Sequence, residues 1–114
     1  NAIAQIVGSL ILKDKDFLKR SINHNRKWQK KLVKKINDIG LEAKQTFTNF
    51  VLVKVDKKKI DKKKILCGLL KKKIIVRDLT SYDLADYFRV SIGTDVQLDK
   101  FSKELANLVR KYSK

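Results

Sequence analysis

The chain has 114 residues, an apolar content of 43% and a formal net charge of +16, from 28 basic and 12 acidic side chains. The apolar content argues against a disordered protein, and a chain of this length can bury a core without disulfides. No run reaches the roughly 20 apolar residues that a membrane-spanning helix needs. Cys67 is the single cysteine and can form no internal disulfide, which suits a reducing cytoplasm. We therefore expect one folded domain over residues 1–114, without a membrane partner.

The positive charge is compatible with nucleic-acid binding, but its composition does not favour that function. Residues 54–73 hold ten lysines against Asp56 and Asp61, which is half of the net charge. Lysine supplies 23 of the 28 basic residues, whereas base reading relies mainly on arginine. No aromatic residues alternate with the lysines to stack on bases. A lysine-rich module that binds nucleic acid or acidic surfaces, in a salt-sensitive way, remains the alternative of a different class.

The first third of the chain has the spacing of two helices. Residues 2–12 are apolar and helix-compatible, and they begin without an evident capping residue. Residues 14–16 interrupt this pattern, and residues 17–39 then show helical spacing up to Gly40, a typical left-handed stop. His24, the only histidine, lies in a polar stretch and is interpreted as a solvated surface residue.

The middle of the chain predicts a strand followed by a helix. Side chains along residues 46–55 alternate between two faces, with Phe47 and three valines on one of them. We expect the centre of this strand to be buried on both faces. Asp56 is a plausible N-cap for a helix that runs to about residue 70. Its lysine triplets, 57–59 and 62–64, would largely face solvent.

The last third predicts two more strands and a final helix. Residues 74–77 and 87–92 have strand character, and a polar loop joins them. Thr94 and Gln97 form a capping-box pattern for a helix to about residue 111, with Val96 among its inward-facing residues. The order α-α-β-α-β-β-α predicts an α+β fold in which helices pack on a small three-stranded sheet.

Each of the last two strands contains an arginine, Arg77 and Arg89. Because strand residues alternate between faces, Arg89 and Ser91 lie opposite the apolar face formed by Phe88 and Val90. A guanidinium beside a hydroxyl is suited to a carboxylate or phosphate, since its planar fork matches two oxygens. The alternative is an edge-strand arginine that pairs with a nearby aspartate.

Four segments of this sequence occur in a specific order, with the two arginines twelve positions apart. The segments are Asn25-Arg26-Lys27-Trp28, Thr48-Asn49-Phe50-Val51-Leu52-Val53, Ile74-Ile75-Val76-Arg77-Asp78 and Phe88-Arg89-Val90-Ser91-Ile92-Gly93-Thr94. Together they resemble the C-terminal small domain of histidinol-phosphate aminotransferases, which are fold-type-I enzymes dependent on pyridoxal phosphate. The resemblance covers nearly the whole chain.

The resemblance implies roles for three residues. Arg89 corresponds to the family arginine that holds a substrate carboxylate or the phosphate group of histidinol phosphate. Arg77 corresponds to an arginine near the phosphate end of the substrate. Asn49 is a weaker substrate-binding candidate, with a strand-end hydrogen bond as an equal alternative.

The chain departs from the family pattern in two loops. Lys73 stands where the family usually has a glycine, and Asp83 and Ala85 stand where glycine and proline are typical. The resemblance gives Tyr82, in the second loop, no firm role. These departures concern the conformation of the loops and leave the two arginines in place.

The resemblance also implies a whole enzyme, of which this chain would be one part. That enzyme would be a homodimer that transfers an amino group between glutamate and imidazole-acetol phosphate in histidine biosynthesis, with 2-oxoglutarate and histidinol phosphate as the products. The family's S-K-x-x-x-x-A-G-x-R segment, which carries the cofactor lysine, has no match here. We therefore expect this chain to contain no catalytic residue and no cofactor contact, and to be inactive alone. Another class I/II aminotransferase and a threonine-phosphate decarboxylase-like enzyme remain open.

The N-terminal helix has a place in this interpretation. Residues 1–13 would contact the large domain that this chain lacks. An apolar helix face without that cover favours association between copies, so we expect the chain alone to self-associate through residues 2–12.

Overall fold

The computed structural model describes residues 1–113, and within them a four-stranded antiparallel sheet packs against helices. The elements in chain order are α1 (Ala2–Lys13), α2 (Lys15–Asp38), β1 (Glu42–Lys44), β2 (Phe50–Lys54), α3 (Lys62–Lys71), β3 (Arg77–Asp78), a 3₁₀ turn (Thr80–Tyr82), β4 (Tyr87–Ser91) and α4 (Asp95–Tyr112). The strand order in the sheet is β1-β2-β4-β3. The α+β fold is confirmed, but the sheet has one strand more than expected, because the three-residue β1 was not predicted.

Local capping signals explain where the long helices begin and end. Asp14 accepts a hydrogen bond from the Phe17 amide at the start of α2, and Gly40, after its end, has a φ of +88°. Thr94 and Gln97 form the expected capping box of α4. The first helix does have a cap, contrary to expectation, because the Asn1 side chain accepts from the amide of Ile3.

The core lies between one face of the sheet and helices α2, α3 and α4. Its most completely buried side chains are Trp28, Leu32, Ile36, Val51, Val53, Val55, Ile65, Leu69, Phe88 and Leu105. Val96 was expected to face inward but is 79% exposed. It lies two positions before Leu98, about 200° around the helix, and so faces away from the buried stripe of α4.

The strand β2 is shorter than predicted because its first half is a loop held by a buried side chain. Gln29 of α2 is 4% exposed. Its amide group donates to the carbonyls of Thr48 and Phe50, and its Oε1 accepts from the amide of Thr46. These bonds replace sheet pairing, and the expected inward position of Phe47 is wrong, since that side chain is fully exposed. The centre of β2 was expected to be buried on both faces, but the face that carries Phe50 and Leu52 is only half-buried.

The helix α3 begins five residues later than predicted. Asp61, not Asp56, is its N-cap and accepts from the amide of Lys63, whereas Asp56 accepts from the amide of Lys58 in a preceding turn. Lys62 is not outward-facing as expected, and its side chain is 10% exposed. Gly68 allows α3 and α4 to approach closely, because a Cβ there would overlap the Leu108 side chain.

The start of α4 is attached to α2 by two polar contacts. The indole of Trp28 donates to the Asp95 carboxylate, and this hydrogen bond is the main cause that lowers the pKa of Asp95. His24 Nε2 lies 2.8 Å from the carbonyl oxygen of Gly93. His24 is therefore half-buried at a helix contact, which corrects its interpretation as a solvated residue.

The helix α1 has a different environment from the others, since none of its residues is buried. Ile3, Ile6, Leu10 and Leu12 are between 60% and 83% exposed, and the molecule extends over 54 × 28 × 24 Å. Across residues 1–113, no helix is both long enough and apolar enough to cross a membrane.

Candidate anion-binding site

The two arginines predicted from the sequence are brought together by the pairing of β3 with β4. Arg77 is the direct cross-strand partner of Arg89 in this antiparallel pair. Directly opposed residues share a face of the sheet, so both side chains lie on the face opposite Phe88 and Val90. Like charges at opposed positions destabilise a sheet, and this arrangement concentrates positive charge at one point.

Arg89 is half-buried and positioned by an aromatic ring. Its guanidinium carbon lies 5.0 Å from the centre of the Phe50 ring, on the same sheet face. Its Nε is buried and has no acceptor among the described residues. No carboxylate within residues 1–113 lies within 4.0 Å of Arg89. The alternative interpretation, an ion pair between Arg89 and a nearby aspartate, therefore does not hold among these residues. The guanidinium therefore keeps donors for an external anion.

Arg77 is exposed and is positioned by Tyr82. Its Nη2 donates a hydrogen bond of 3.3 Å to the Tyr82 hydroxyl, and its guanidinium carbon lies 5.9 Å from the centre of that ring. This hydrogen bond and the charge of Arg77 lower the pKa of Tyr82, and the charge of Arg89 contributes in the same direction. Tyr82 therefore lies within the field of both arginines.

The aspartate next to Arg77 does not neutralise it. Because successive side chains of a strand point to opposite faces, the Asp78 side chain lies on the other face of β3 from Arg77. It pairs with the ammonium of Lys62 at 2.5 Å. Lys62 also donates to Thr80 Oγ1 at 2.9 Å and to the carbonyl of Tyr87 at 3.2 Å. The Lys62 hydrogen bond is the main cause that lowers the pKa of Asp78 to about 2. This cluster attaches the short strand β3 to α3.

An open groove of about 660 Å³ lies beside the arginine pair. It runs between residues 73–77, the edge of β4 and the first turns of α4, and Arg77, Arg89 and Ser91 line it. Asn49 does not line this groove. It is exposed beside His24 in a separate depression, and its backbone carbonyl accepts from the amide of Ile92 at 2.7 Å.

The segment that carries Arg77 and Tyr82 is bounded by two residues in the left-handed conformation. Lys73 has a φ of +58° and Asp83 a φ of +60°, and within residues 1–113 they are the only residues other than glycine with positive φ. Both are positions at which the resemblance stated from the sequence led us to expect glycine. The departures therefore occur where a side chain is least favourable.

No lysine of the described chain fits the role of a pyridoxal-phosphate lysine. That role needs an amine in a desolvated pocket with a free nitrogen, and the lysines here are exposed or half-buried. Lys62 is the one with a largely buried side chain, and its ammonium already donates to three acceptors. The Lys62 ammonium is therefore engaged within the fold, whereas Arg77 and Arg89 keep donors for an external anion.

Sequence reasoning missed the contributions of Lys62 and Tyr82. Lys62 was concealed within a run of exposed lysines, and its direction depends on where α3 begins. Tyr82 did carry a signal, as an aromatic residue in a polar loop between the two arginine-bearing strands. Its contact with Arg77 becomes visible only with the 3₁₀ turn in place.

The chain is similar to several proteins named histidinol-phosphate aminotransferase. It is 32% identical to the one from Desulfotalea psychrophila over 110 residues, which cover 96% of this chain and 28% of that protein. It is 35% identical to those from Clostridium novyi, over 100 residues, and Methanocaldococcus jannaschii, over 113 residues. These matches cover 85% and 94% of this chain and 26% and 29% of the two proteins. The chain spans less than a third of the length of these relatives.

Solved structures agree in fold. The histidinol-phosphate aminotransferase of Clostridium acetobutylicum superposes with a TM-score of 0.79 at 24% identity, over 88% of this chain and 30% of that one. The enzyme of Sinorhizobium meliloti, solved in complex with pyridoxal-5'-phosphate, superposes with a TM-score of 0.78 at 25% identity, over 88% of this chain and 28% of that one. No protein-family model matches the chain. The resemblance stated from the sequence is confirmed: the chain is similar, over nearly its whole length, to part of a histidinol-phosphate aminotransferase.

Proposed function

We propose that this chain, which is homologous over nearly its whole length to part of the histidinol-phosphate aminotransferases, is the small C-terminal domain of such an enzyme. The whole protein would use pyridoxal phosphate to transfer an amino group between glutamate and imidazole-acetol phosphate in histidine biosynthesis, as a cytoplasmic homodimer. This chain would contribute the clamp for the anionic end of each substrate. Support comes from the relatives of that name and from the common fold.

The observation that carries the proposal is the cross-strand register of Arg77 and Arg89, without a carboxylate between them. Glutamate and histidinol phosphate differ in shape, but both present a negative group at the end remote from the amine. A ping-pong reaction binds its two substrates in turn at one site. A fixed pair of guanidinium groups can receive either a carboxylate or a phosphate there, with Arg89 as the main clamp and Arg77 as its assistant.

Asn49 is a weaker part of this proposal. Its side chain is exposed at the end of β2 that lies next to Ile92, outside the arginine groove. It could reach a substrate only from the rim of the site. We therefore assign it a smaller contribution to substrate binding than either arginine.

The cofactor lysine and the rest of the catalytic machinery would belong to the part of the relatives that this chain does not span. The exposed apolar residues of α1 would pack against that part. In its absence, copies of the 114-residue chain should associate through residues 2–12. Light scattering at increasing concentration measures this association, and a monodisperse monomer throughout would contradict it.

The first test is the coding sequence immediately upstream of Asn1. An in-frame S-K-x-x-x-x-A-G-x-R segment there would support a domain of an aminotransferase. A start codon directly before Asn1 would exclude catalysis by this chain and favour the lysine-rich binding module. Release of carbon dioxide without amino transfer would favour a decarboxylase-like enzyme.

The second test is Arg89→Lys in the polypeptide that carries both segments. Lysine keeps the charge but loses the planar fork, so binding of either anionic substrate should weaken by about 1.5–3 kcal/mol. Arg110→Lys is the matched control, because Arg110 is exposed near the end of α4, away from the groove. Steady-state kinetics with glutamate and with histidinol phosphate measure the effect. Unchanged kinetics for glutamate would remove Arg89 from the site.

A further inference from the structure

The surroundings of Tyr82 suggest more than support for Arg77. Its hydroxyl oxygen accepts a hydrogen bond from Arg77 Nη2, so its own hydrogen remains available for donation. The side chain is 59% exposed, so an external anion can approach it. Its hydrogen bond to Arg77, the cross-strand partner of Arg89, places this hydroxyl close to the region where an anion would bind.

The backbone around Tyr82 fixes its position. The amide of Tyr82 donates to the carbonyl of Leu79 at 3.0 Å, and Leu79 is buried. The left-handed Asp83 ends the 3₁₀ turn directly afterwards. Thr80, two residues earlier, is bound to Lys62 and Asp78. An exposed phenol is thus held on an anchored turn rather than on a free loop.

We propose that Tyr82 is the third group of the anion site and donates its phenolic hydrogen to a phosphate oxygen held between Arg77 and Arg89. This inference rests on the proposed anion clamp and adds a means of discrimination to it. A phosphate group has three terminal oxygens, so two guanidinium forks leave acceptor capacity for a third donor. A carboxylate has two oxygens, which the forks already occupy. Tyr82 therefore favours the phosphate-bearing substrate over the dicarboxylate.

Polarisation by Arg77 makes the phenol a better donor. The hydrogen bond and the charge from Arg77 lower the pKa of Tyr82, so its hydroxyl donates more strongly than an ordinary tyrosine would. Removal of that hydroxyl should therefore weaken the binding of an anion that has an oxygen free to accept from it.

The test uses the 114-residue chain and two probes, inorganic phosphate and glutarate, at one ionic strength. Tyr82→Phe keeps the ring under Arg77 and removes only the hydroxyl. We expect its affinity for phosphate to fall by about three- to tenfold, the scale of one hydrogen bond, and its affinity for glutarate to change by less than about twofold. Backbone amide resonances of residues 77–91, followed by NMR during each titration, measure both affinities in the unmodified chain and in the variant. In the unmodified chain, the Tyr82 ring resonances also show whether the anion lies beside this side chain.

Two controls separate this inference from the clamp itself. Tyr87→Phe removes a hydroxyl from the same sheet face as Arg89, but next to Lys54 rather than Arg77, and should leave both affinities unchanged. Arg89→Lys should weaken both anions. If Arg89→Lys has this effect but Tyr82→Phe binds phosphate like the unmodified chain, or loses both anions equally, the role of Tyr82 is overturned and the clamp stands. If the unmodified chain binds neither anion, both proposals fall.

Discussion

Arg89 and Arg77 face each other across the sheet, but they are held in different ways. Arg89 lies in the middle of the five-residue β4, which pairs with a strand on each side and buries Phe88 and Val90 beneath it. Arg77 lies in the two-residue edge strand β3, whose residues are both exposed. One arginine is positioned by the sheet and its core. The other depends on side-chain contacts with residues outside the sheet: Tyr82 contacts Arg77 itself, and Lys62 holds the neighbouring Asp78.

This difference means that the two halves of the clamp should respond differently to mutation. A substitution that disrupts β4 also disrupts the packing of the hydrophobic core beneath it, and should destabilise the whole domain. Damage to the segment of residues 73–83 should change the position of Arg77 and leave the core intact. Three substitutions test this separation, beyond those at Arg89 and Tyr82.

Phe88→Ala should have the largest effect. Phe88 is fully buried beneath the sheet, so its truncation leaves a cavity and should lower the free energy of unfolding by about 3–5 kcal/mol. Urea denaturation followed by circular dichroism measures this change. Tyr87→Phe, on the adjacent half-buried position, should cost far less. A loss below about 1 kcal/mol for Phe88→Ala would contradict the view that the core positions Arg89.

Lys73→Gly should have an intermediate effect, of opposite sign. Glycine adopts a positive φ without the steric cost of a Cβ, about 1–2 kcal/mol, although its freedom in the unfolded chain offsets part of this gain. We expect the free energy of unfolding to rise by about 0.5–1 kcal/mol. Thermal and urea denaturation measure it.

Asp83→Gly is the comparison for that variant. Aspartate tolerates the left-handed conformation better than lysine, so the gain should be smaller than at Lys73. Gly40→Ala, at a third position with positive φ, should destabilise the chain. An unchanged or lower stability of Lys73→Gly would show that the lysine side chain makes a compensating contact.

Asp78→Asn should have the smallest effect, visible as a change in pH dependence. Because the folded state lowers the pKa of Asp78 from 3.8 to about 2, the ion pair with Lys62 stabilises the fold above pH 3.8. That contribution is lost as the pH falls from 3.8 towards 2. Asp78 is about half exposed, so solvent reduces the effect. Urea denaturation over this pH range should show a shallower pH dependence in Asp78→Asn than in the unmodified chain.

Asp83→Asn is the matched control for the pH experiment. It removes a carboxylate from the same segment that makes no ion pair within the described residues. Its pH dependence should match that of the unmodified chain. Equal slopes for Asp78→Asn and the unmodified chain would show that the Lys62–Asp78 pair does not hold β3.

Features with a local cause were predictable from the sequence. The bounds of α2 and α4 follow from apolar spacing together with Asp14, Gly40 and the Thr94–Gln97 capping box. The face of Arg89 follows from simple alternation along β4. The interruption before α2 was equally visible, because residues 14–16 are three consecutive charged residues after an apolar stretch.

Features that depend on distant contacts were not predictable. Phe47 was placed in a strand because nothing local reveals that Gln29, on another element, binds the backbone of its loop. Asp56 and Asp61 are both good caps, and only packing decides between them. The register of Arg77 with Arg89 requires β3 and β4 to be paired, and Lys62 is distinguished from its neighbours only by the position of Asp78.

Trp28 has a practical consequence for experiments on this molecule. It is the single tryptophan of the chain, is fully buried, and joins α2 to the first turn of α4 through Asp95. Its fluorescence therefore comes from one defined environment, on the opposite side of the sheet from the arginines. Opening of the core should shift the emission to the red, whereas an anion at the arginines should leave it unchanged. The chain thus contains an intrinsic optical reporter that distinguishes unfolding from ligand binding.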